Sequence, residues 1–175
     1  ITLGIESTAH TFGISFLKDE EIICNEKVSF TTEEGGMKPY EVANHHVEKF
    51  DILFKSCLEK CNLKAKDIDL ICFSQSPGIG HMLKIGTLFV RSLSLLLKKP
   101  VVGVNHCIAH LEIGRKLKNC KDPIFLYASG ANTQVIAYEG EKYRIFGETL
   151  DIGVGNFFDS FAMCAGLWLP GGPKI

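Results

Sequence analysis

ITLGIESTAHTFGISFLKDEEIICNEKVSF, residues 1–30, carries the reading that decides the fold. Three apolar runs, Ile1–Glu6, Phe12–Leu17 and Glu21–Phe30, predict three strands, the third alternating only in part. Between the first two lies Ser7-Thr8-Ala9-His10-Thr11, small and polar, which suits a tight hairpin. Working outward, Thr31–Lys38 reads as a loop containing Gly35-Gly36, and Pro39 opens a helix. Proline is favoured in a first helical turn, where its missing N–H is not needed. Val42, Val47, Phe50, Leu53, Phe54, Cys57 and Leu58 follow a roughly helical period, and the helix is expected to end near Asn62. Asp69–Ser74 is a short apolar run of the kind a buried parallel strand requires. The loop Ser76-Pro77-Gly78-Ile79-Gly80 leads into a long apolar helix to about Lys98, which Pro100 ends. Val101–Val104 is the next strand, and Asn105 caps a helix that carries His106 and His110.

The order to residue 118 is therefore β-β-β-α-β-α-β-α. Three antiparallel strands followed by crossover helices make a ribonuclease-H-like lobe. In the actin and Hsp70 class that lobe occurs twice, with the nucleotide between the copies. After Asn119–Asp122 the pattern restarts. Ile124–Ala128, Thr133–Tyr138 and Tyr143–Thr149 predict strands, Ser129–Asn132 a polar turn and Gly155–Leu167 a helix. The expectation is an α/β chain of actin-like (ASKHA) fold, one complete lobe plus the start of a second. Residues 1–120 would form the first lobe, with the metal-binding helix, and 121–175 the beginning of the second, whose remainder is expected to be absent.

Composition narrows the function. With 46% hydrophobic and 22% charged residues, the chain can bury a core, which a disordered chain cannot. A formal net charge of -1 gives no global basic signal, so a nucleic-acid partner needs a local patch or another subunit's surface. Leu83–Leu97 is the most apolar stretch, but Lys84 and Arg91 interrupt it and it is shorter than the roughly 20 residues of a membrane span. No signal peptide is read at Ile1. Seven scattered cysteines without a C-x-x-C fit reduced thiols used as small core hydrophobes, and hence a cytoplasmic protein with no membrane.

Asn105-His106-Cys107-Ile108-Ala109-His110 places two histidines one helical turn apart, able to share one metal ion. A bare H-x-x-x-H is as readily a structural pair; its position after a strand, at the carboxyl edge where α/β sites gather, favours the metal. Tyr127-Ala128-Ser129-Gly130-Ala131-Asn132 is a strand leading into a turn of small residues, which lets backbone N–H groups approach an anion. An ordinary hairpin is the plain alternative. The matching turn at 7–11 strengthens the anion reading, and the repeat would set the two turns across a cleft. Ser76–Gly80 could present a helix N-terminus to phosphate, or be a structural turn; it lacks the Walker lysine. Asp159, near a helix start, reads first as a solvated or dipole-satisfying carboxylate. His45 and His46 are adjacent, so they point to different faces and read as structural, with one near a cleft or a partner surface.

These stretches together resemble one family, the universal tRNA threonylcarbamoyladenosine transferase subunit, formerly called O-sialoglycoprotein endopeptidase. The resemblance lies in Gly4–Thr11, Ser76–Gly80, Val104–His110, Ser129–Gln134, Phe146–Asp151 and Pro170–Pro173, in the family's order along the whole chain. It looks like the archaeal and eukaryotic branch, which works within the KEOPS complex beside a small atypical kinase and a small dimerising subunit. The resemblance implies transfer of threonylcarbamoyl from threonylcarbamoyl-AMP to N6 of adenosine 37 in tRNAs reading ANN codons. It implies one divalent metal per subunit, iron or zinc with Fe2+ favoured, held by His106, His110 and Tyr127. Tyr127, Ala128, Ser129, Gly130 and Ala131 would hold the adenylate, with Asp159 and Gly172 at its nucleoside part. That reverses the plain reading of Asp159. The group that deprotonates adenine N6 is not evident. Ala131 departs from the family's usual glycine, and Ser76 and His81 from its glycine and proline. A fourth metal ligand, an aspartate, belongs to the half of the family that the chain lacks. The competing readings are a catalytically incomplete scaffold or binding module, a metal-dependent hydrolase, and an actin-like sugar or acetate kinase.

Overall fold

The computed structural model describes residues 1–32, 37–167 and 170–175. Gly35-Gly36 of the predicted 31–38 loop, and residues 168–169, therefore lie outside the described residues. Two compact units divide the chain, Ile1–Ala109 and His110–Ile175.

In the first unit, β1 (Thr2–Glu6), β2 (Thr11–Lys18) and β3 (Glu21–Ser29) form an antiparallel meander. The helix α1 (Pro39–Lys60) follows, and a short 3-10 turn at Ala65–Asp67 leads to β4 (Leu70–Ser76). The helix α2 (Gly80–Leu97) and β5 (Val101–Asn105) complete a five-stranded sheet of order β3-β2-β1-β4-β5, in which β1, β4 and β5 run parallel. Alternation decides which face is covered. Leu3, Ile5, Phe12, Ile14 and Phe16 share one face and are almost fully buried with Phe54, Cys57, Ile71 and Val90 of the neighbouring elements. Each such side chain contributes about 1.5–3 kcal/mol on burial. The opposite face carries Thr2, Gly4, Glu6, Gly13 and Ser15, small or polar, together with Leu17, Leu70, Cys72, Val102 and Val104.

The helix α1 ends with Asn62 in the left-handed region at φ 52, and α2 with Lys98 at φ 55, just before Pro100. Ser76 belongs to the strand and Gly80 to the helix, so the loop between them is shorter than the sequence predicts.

The second unit begins within α3 (His106–Lys118), continuing in β6 (Ile124–Ala128), β7 (Thr133–Glu139), β8 (Lys142–Glu148) and α4 (Val154–Cys164), with a last 3-10 turn at Gly172–Lys174. The sheet order is β6-β7-β8, all antiparallel. From His110 on, α3 covers the face bearing Phe125, Ile136, Tyr138 and Tyr143. Tyr143 donates to Glu112 at 2.6 Å and the Arg115 guanidinium lies 5.0 Å from the Tyr138 ring centre. The helix α4 stops at Cys164, short of the predicted Leu167. Gly166 adopts φ 73, a left-handed conformation that closes a helix and that glycine takes without a steric cost.

All seven cysteines are free thiols. Burial pushes the Cys57 thiol up to about 12, with neighbouring Cys24 adding to the shift, so it stays protonated and acts as packing. No helix among the described residues is long and apolar enough to cross a membrane.

Candidate functional site

In the first unit, chemistry collects at the carboxyl ends of the parallel strands, where open α/β sheets place their ligands. Glu6 ends β1, Ser74 stands near the end of β4, and His106 follows β5 directly. The Glu6 carboxylate joins them. Oε1 accepts the Thr8 backbone N–H at 2.7 Å and the Thr8 hydroxyl, and Oε2 accepts the Ser74 hydroxyl. His106 Nδ1 lies 3.1 Å from Oε2 and 3.3 Å from Thr8 Oγ1. Burial raises the carboxyl's affinity for its proton, but the hydrogen bonds from Ser74 and Thr8, with the charge of His106, outweigh it and hold Glu6 below the ordinary carboxylate range.

Backbone packing makes this edge rigid. A Cβ on Gly78 would stand 2.8 Å from Thr8 Cβ, and the Ile79 N–H donates to the Thr8 carbonyl at 2.8 Å. Gly86 of α2 lies directly against the buried Ser7. The Ser76–Gly80 loop thus buttresses the 7–11 turn, and its Ile79 amide is spent on protein rather than presented to phosphate.

Asn105 caps α3 as the sequence predicts, its Oδ1 accepting the N–H groups of Cys107 at 2.9 Å and Ile108 at 3.2 Å. His106 and His110 therefore stand one turn apart on a single, properly started helix. In the second unit the His110 and Tyr127 rings meet edge to face, with centroids 6.0 Å apart. Among the described residues no three His, Cys, Asp or Glu side chains gather as a metal-binding group. Imidazole nitrogens and a phenol oxygen, the donor types that His106, His110 and Tyr127 carry, are ones that a borderline divalent cation such as zinc or iron accepts.

The Ser129–Asn132 turn is held by the first turn of α4. Ser129 N–H donates to the Asn132 carbonyl at 2.8 Å, and Asn132 N–H to Ser129 Oγ at 3.0 Å. Gly155 N–H donates to the Ser129 carbonyl at 3.1 Å, Asn156 N–H to that of Gly130 at 3.2 Å, and Val154 N–H to Thr133 Oγ1 at 2.8 Å. The opening amides of α4, which a helix otherwise leaves unsatisfied, are consumed in bracing the turn. A Cβ on Gly153 would fall 2.6 Å from the Ala131 carbonyl carbon, and one on Gly155 would fall 2.9 Å from Gly130 Cα. Glycine is required there because backbone lies against backbone. The amide of Ser129 is thus used inside the turn. Those of Gly130 and Ala131 donate to no group among the described residues and are the pair that can meet an anion.

Asp159 Oδ1 accepts the Gly171 N–H at 2.7 Å, which draws the Pro170–Pro173 segment against α4 and sets Gly172 beside the carboxylate. Gly171 is buried, and a Cβ there would come within 2.6 Å of Ala162 Cβ. His46 is fully buried, its ring centre 5.3 Å from that of Phe12, and His45 stands edge-on to Phe30. His46 packs inside the core, and His45 lies at its edge, half-buried. Sequence reasoning passed over Glu6, Ser74, Gly153 and Gly155. A carboxylate ending a strand, in a hairpin of small residues, was the available signal for Glu6.

The TsaD family profile, described as tRNA N6-adenosine threonylcarbamoyltransferase, matches residues 21–175. A protein of that name from Thermococcus sibiricus is 50% identical over 175 residues, all of this chain and 54% of the relative. A Methanocaldococcus jannaschii protein named "Probable bifunctional tRNA threonylcarbamoyladenosine biosynthesis protein" is 49% identical, with 32% of its length covered. The chain spans about half the length of the Thermococcus relatives it matches. Among solved structures, YeaZ from Pseudomonas aeruginosa superposes with a TM-score of 0.58 at 13% identity, over 89% of this chain and 67% of that one. That likeness shows the fold alone, the actin-like α/β class expected from the strand order. By its profile match and its identity along the whole chain, the protein belongs to the TsaD family of tRNA N6-adenosine threonylcarbamoyltransferases.

Proposed function

We propose that this chain supplies the metal-binding and adenylate-binding part of an acyl (carbamoyl) transferase for tRNA modification. The reaction moves threonylcarbamoyl from threonylcarbamoyl-AMP to N6 of adenosine 37 in tRNAs reading ANN codons. The observation that carries this reading is the family match over residues 21–175. Residues 1–120 serve as the first actin-like lobe and 121–175 as the start of the second.

On this reading His106, His110 and Tyr127 hold one divalent iron or zinc ion, Fe2+ favoured. When bound, the ion supplies a Lewis acid for the carbamoyl carbonyl or the phosphate. The chain's own groups do the rest. The turn from Tyr127 to Ala131 receives the adenylate, and the Gly130 and Ala131 amides donate to oxygen on which charge develops. Their value depends on being fixed beforehand, which the α4 braces achieve. Asp159 commits Oδ1 to Gly171, so its second oxygen is the acceptor for a ribose hydroxyl beside Gly172. With a net charge of -1, the chain binds tRNA through a local basic patch or through the surface of its partners, KEOPS subunits that include a small atypical kinase and a small dimerising subunit, in the cytoplasm.

The test is metal content and threonylcarbamoyl-AMP binding, for this chain and for His106→Ala, Gly155→Ala and Asp159→Ala. The expected result is a single metal per chain, lost in His106→Ala, and adenylate binding weakened in the other two. No metal and no adenylate bound by the unaltered chain would sink the reading. It would leave a scaffold or binding module.

A further inference from the structure

We infer that Glu6 is a positioning residue: its carboxylate fixes the His106 imidazole in the Nδ1–H tautomer, so that Nε2 is the nitrogen offered to a divalent cation. The inference rests on the proposal that His106 is a metal ligand, and it adds a group that no motif reading assigned.

Hydrogen counting assigns the tautomer. Thr8 Oγ1 has one hydrogen and gives it to Glu6 Oε1, and Ser74 Oγ gives its own to Oε2. An ionised carboxylate only accepts. Towards His106 Nδ1, both Oε2 at 3.1 Å and Thr8 Oγ1 at 3.3 Å are therefore acceptors. Both contacts are satisfied only when the ring hydrogen sits on Nδ1. In the neutral ring the lone pair is then on Nε2, the nitrogen a metal takes. A carboxylate on the far nitrogen of a metal-ligating histidine fixes the ring and raises its basicity, and losing such a partner typically costs about 10–100-fold in metal affinity.

The support is rigid as well as polar. Glu6 ends β1, the strand held by β2 on one side and β4 on the other. Thr8 grips one carboxylate oxygen and Ser74 the other, so the carboxylate cannot turn away from the ring. His106 opens α3 straight after β5, which leaves its backbone little freedom. Sites built on strands and helices hold geometry better than sites on loops.

The experiment uses the whole chain with Zn2+ as the probe. In the metal-free chain, above the imidazole titration range, long-range proton–nitrogen spectra report the His106 tautomer, with His106→Ala identifying its signals. Glu6→Gln is the main variant. Its amide has one acceptor oxygen, for which Thr8 competes with Ser74 and His106. The expected result is an Nδ1–H ring in the unaltered chain, a mixed or Nε2–H ring in Glu6→Gln, and Zn2+ affinity lower by about 10–100-fold at an unchanged melting temperature. Glu6→Asp should recover part of the affinity, and Ser74→Ala should lose a smaller factor in the same direction. If Glu6→Gln fails to fold, those two variants carry the test. An Nε2–H ring in the unaltered chain, or variants that keep both tautomer and affinity, would overturn the inference. Equal Zn2+ binding by His106→Ala instead removes the metal-ligand reading, whatever the tautomer.

Discussion

The two units are built on one β-β-β-α plan and differ in what their sheets bury. In the first, β1 is paired on both sides, and Leu3, Ile5, Phe12, Ile14 and Phe16 lie against helices. The open face there is small and polar around Gly4, Glu6, Gly13 and Ser15, with Val102 of β5 exposed on it at 46%. In the second, β6 is paired among the described residues with β7 alone, and the face opposite α3 shows Ile124 at 77% exposure, Leu126 at 72% and Val135 at 40%. The same three-stranded meander thus belongs to a finished core where β4, β5 and two helices extend it, and shows an uncovered apolar face where they do not. Stability should therefore reside in the first unit, and substitutions should separate the two. The largest effect belongs to Phe12→Ala. Phe12 is fully buried among His46, Phe50 and Phe89, and its loss should cost about 3–5 kcal/mol by denaturant unfolding. A cost below about 1 kcal/mol would erase the contrast.

The next effect is a pH dependence confined to the first unit. Burial pulls His46 down to about 4, with the charge of neighbouring His45 acting the same way, and its Nε2 has no hydrogen-bond partner among the described residues. His45, His10 and Glu6 are the titratable groups that face it. A histidine with a folded value below its unfolded one is neutral in the fold. Its stability contribution is complete above the ordinary histidine value near 6.5 and is lost as pH falls towards 4. The loss over that window is on the order of 3 kcal/mol. Denaturant midpoints should fall across it, and His46→Gln should flatten that slope. An unchanged slope in the variant would assign the acid sensitivity elsewhere.

A smaller effect should appear where the second unit is tightly packed, at the meeting of α4 with the Ser129–Asn132 turn. Gly155→Ala pushes a methyl group into Gly130, and overpacking of this kind costs about 1–3 kcal/mol. Hydrogen exchange should quicken in α4 and the turn while the first unit stays protected. Equal protection in both would mean that the turn relaxes freely.

Much of this was legible in the sequence, and the limits have physical causes. Strand alternation in residues 1–30, Pro39, Pro100 and the Asn105 cap fix the elements, because each acts on its own few neighbours. The end of α4 was misread since Phe161, Ala162 and Met163 continue an apolar pattern that Gly166 interrupts by backbone conformation alone. The Glu6–Ser74–His106 cluster was invisible for another reason: its members are 68 and 100 residues apart in sequence and meet only once β1, β4 and β5 are in register. Glycines 153 and 155 look like loop residues until the turn is laid against them. Asp159 shows both sides, a carboxylate whose plain reading gave way only to family resemblance, and whose Gly171 bond only the fold reveals.

The smallest effect is the sharpest test of the uncovered face. Leu126 stands on β6, register-paired with Val135, and points away from the α3 side. If that face meets only water, Leu126→Lys removes no packing, and stability should stay within about 0.5 kcal/mol of the unaltered chain. Binding of an apolar dye should fall, because a charge now interrupts the Ile124–Leu126–Val135 patch. A cost of several kcal/mol would show instead that the face is covered in solution, and sedimentation would say whether a second copy covers it. Either result bears on the comparison between the units. A neutral substitution means that the second sheet folds on its α3 side alone, with Ile136 as its one almost fully buried strand residue among those described. A costly one means that the second unit, unlike the first, completes its core only when both faces of its sheet are covered.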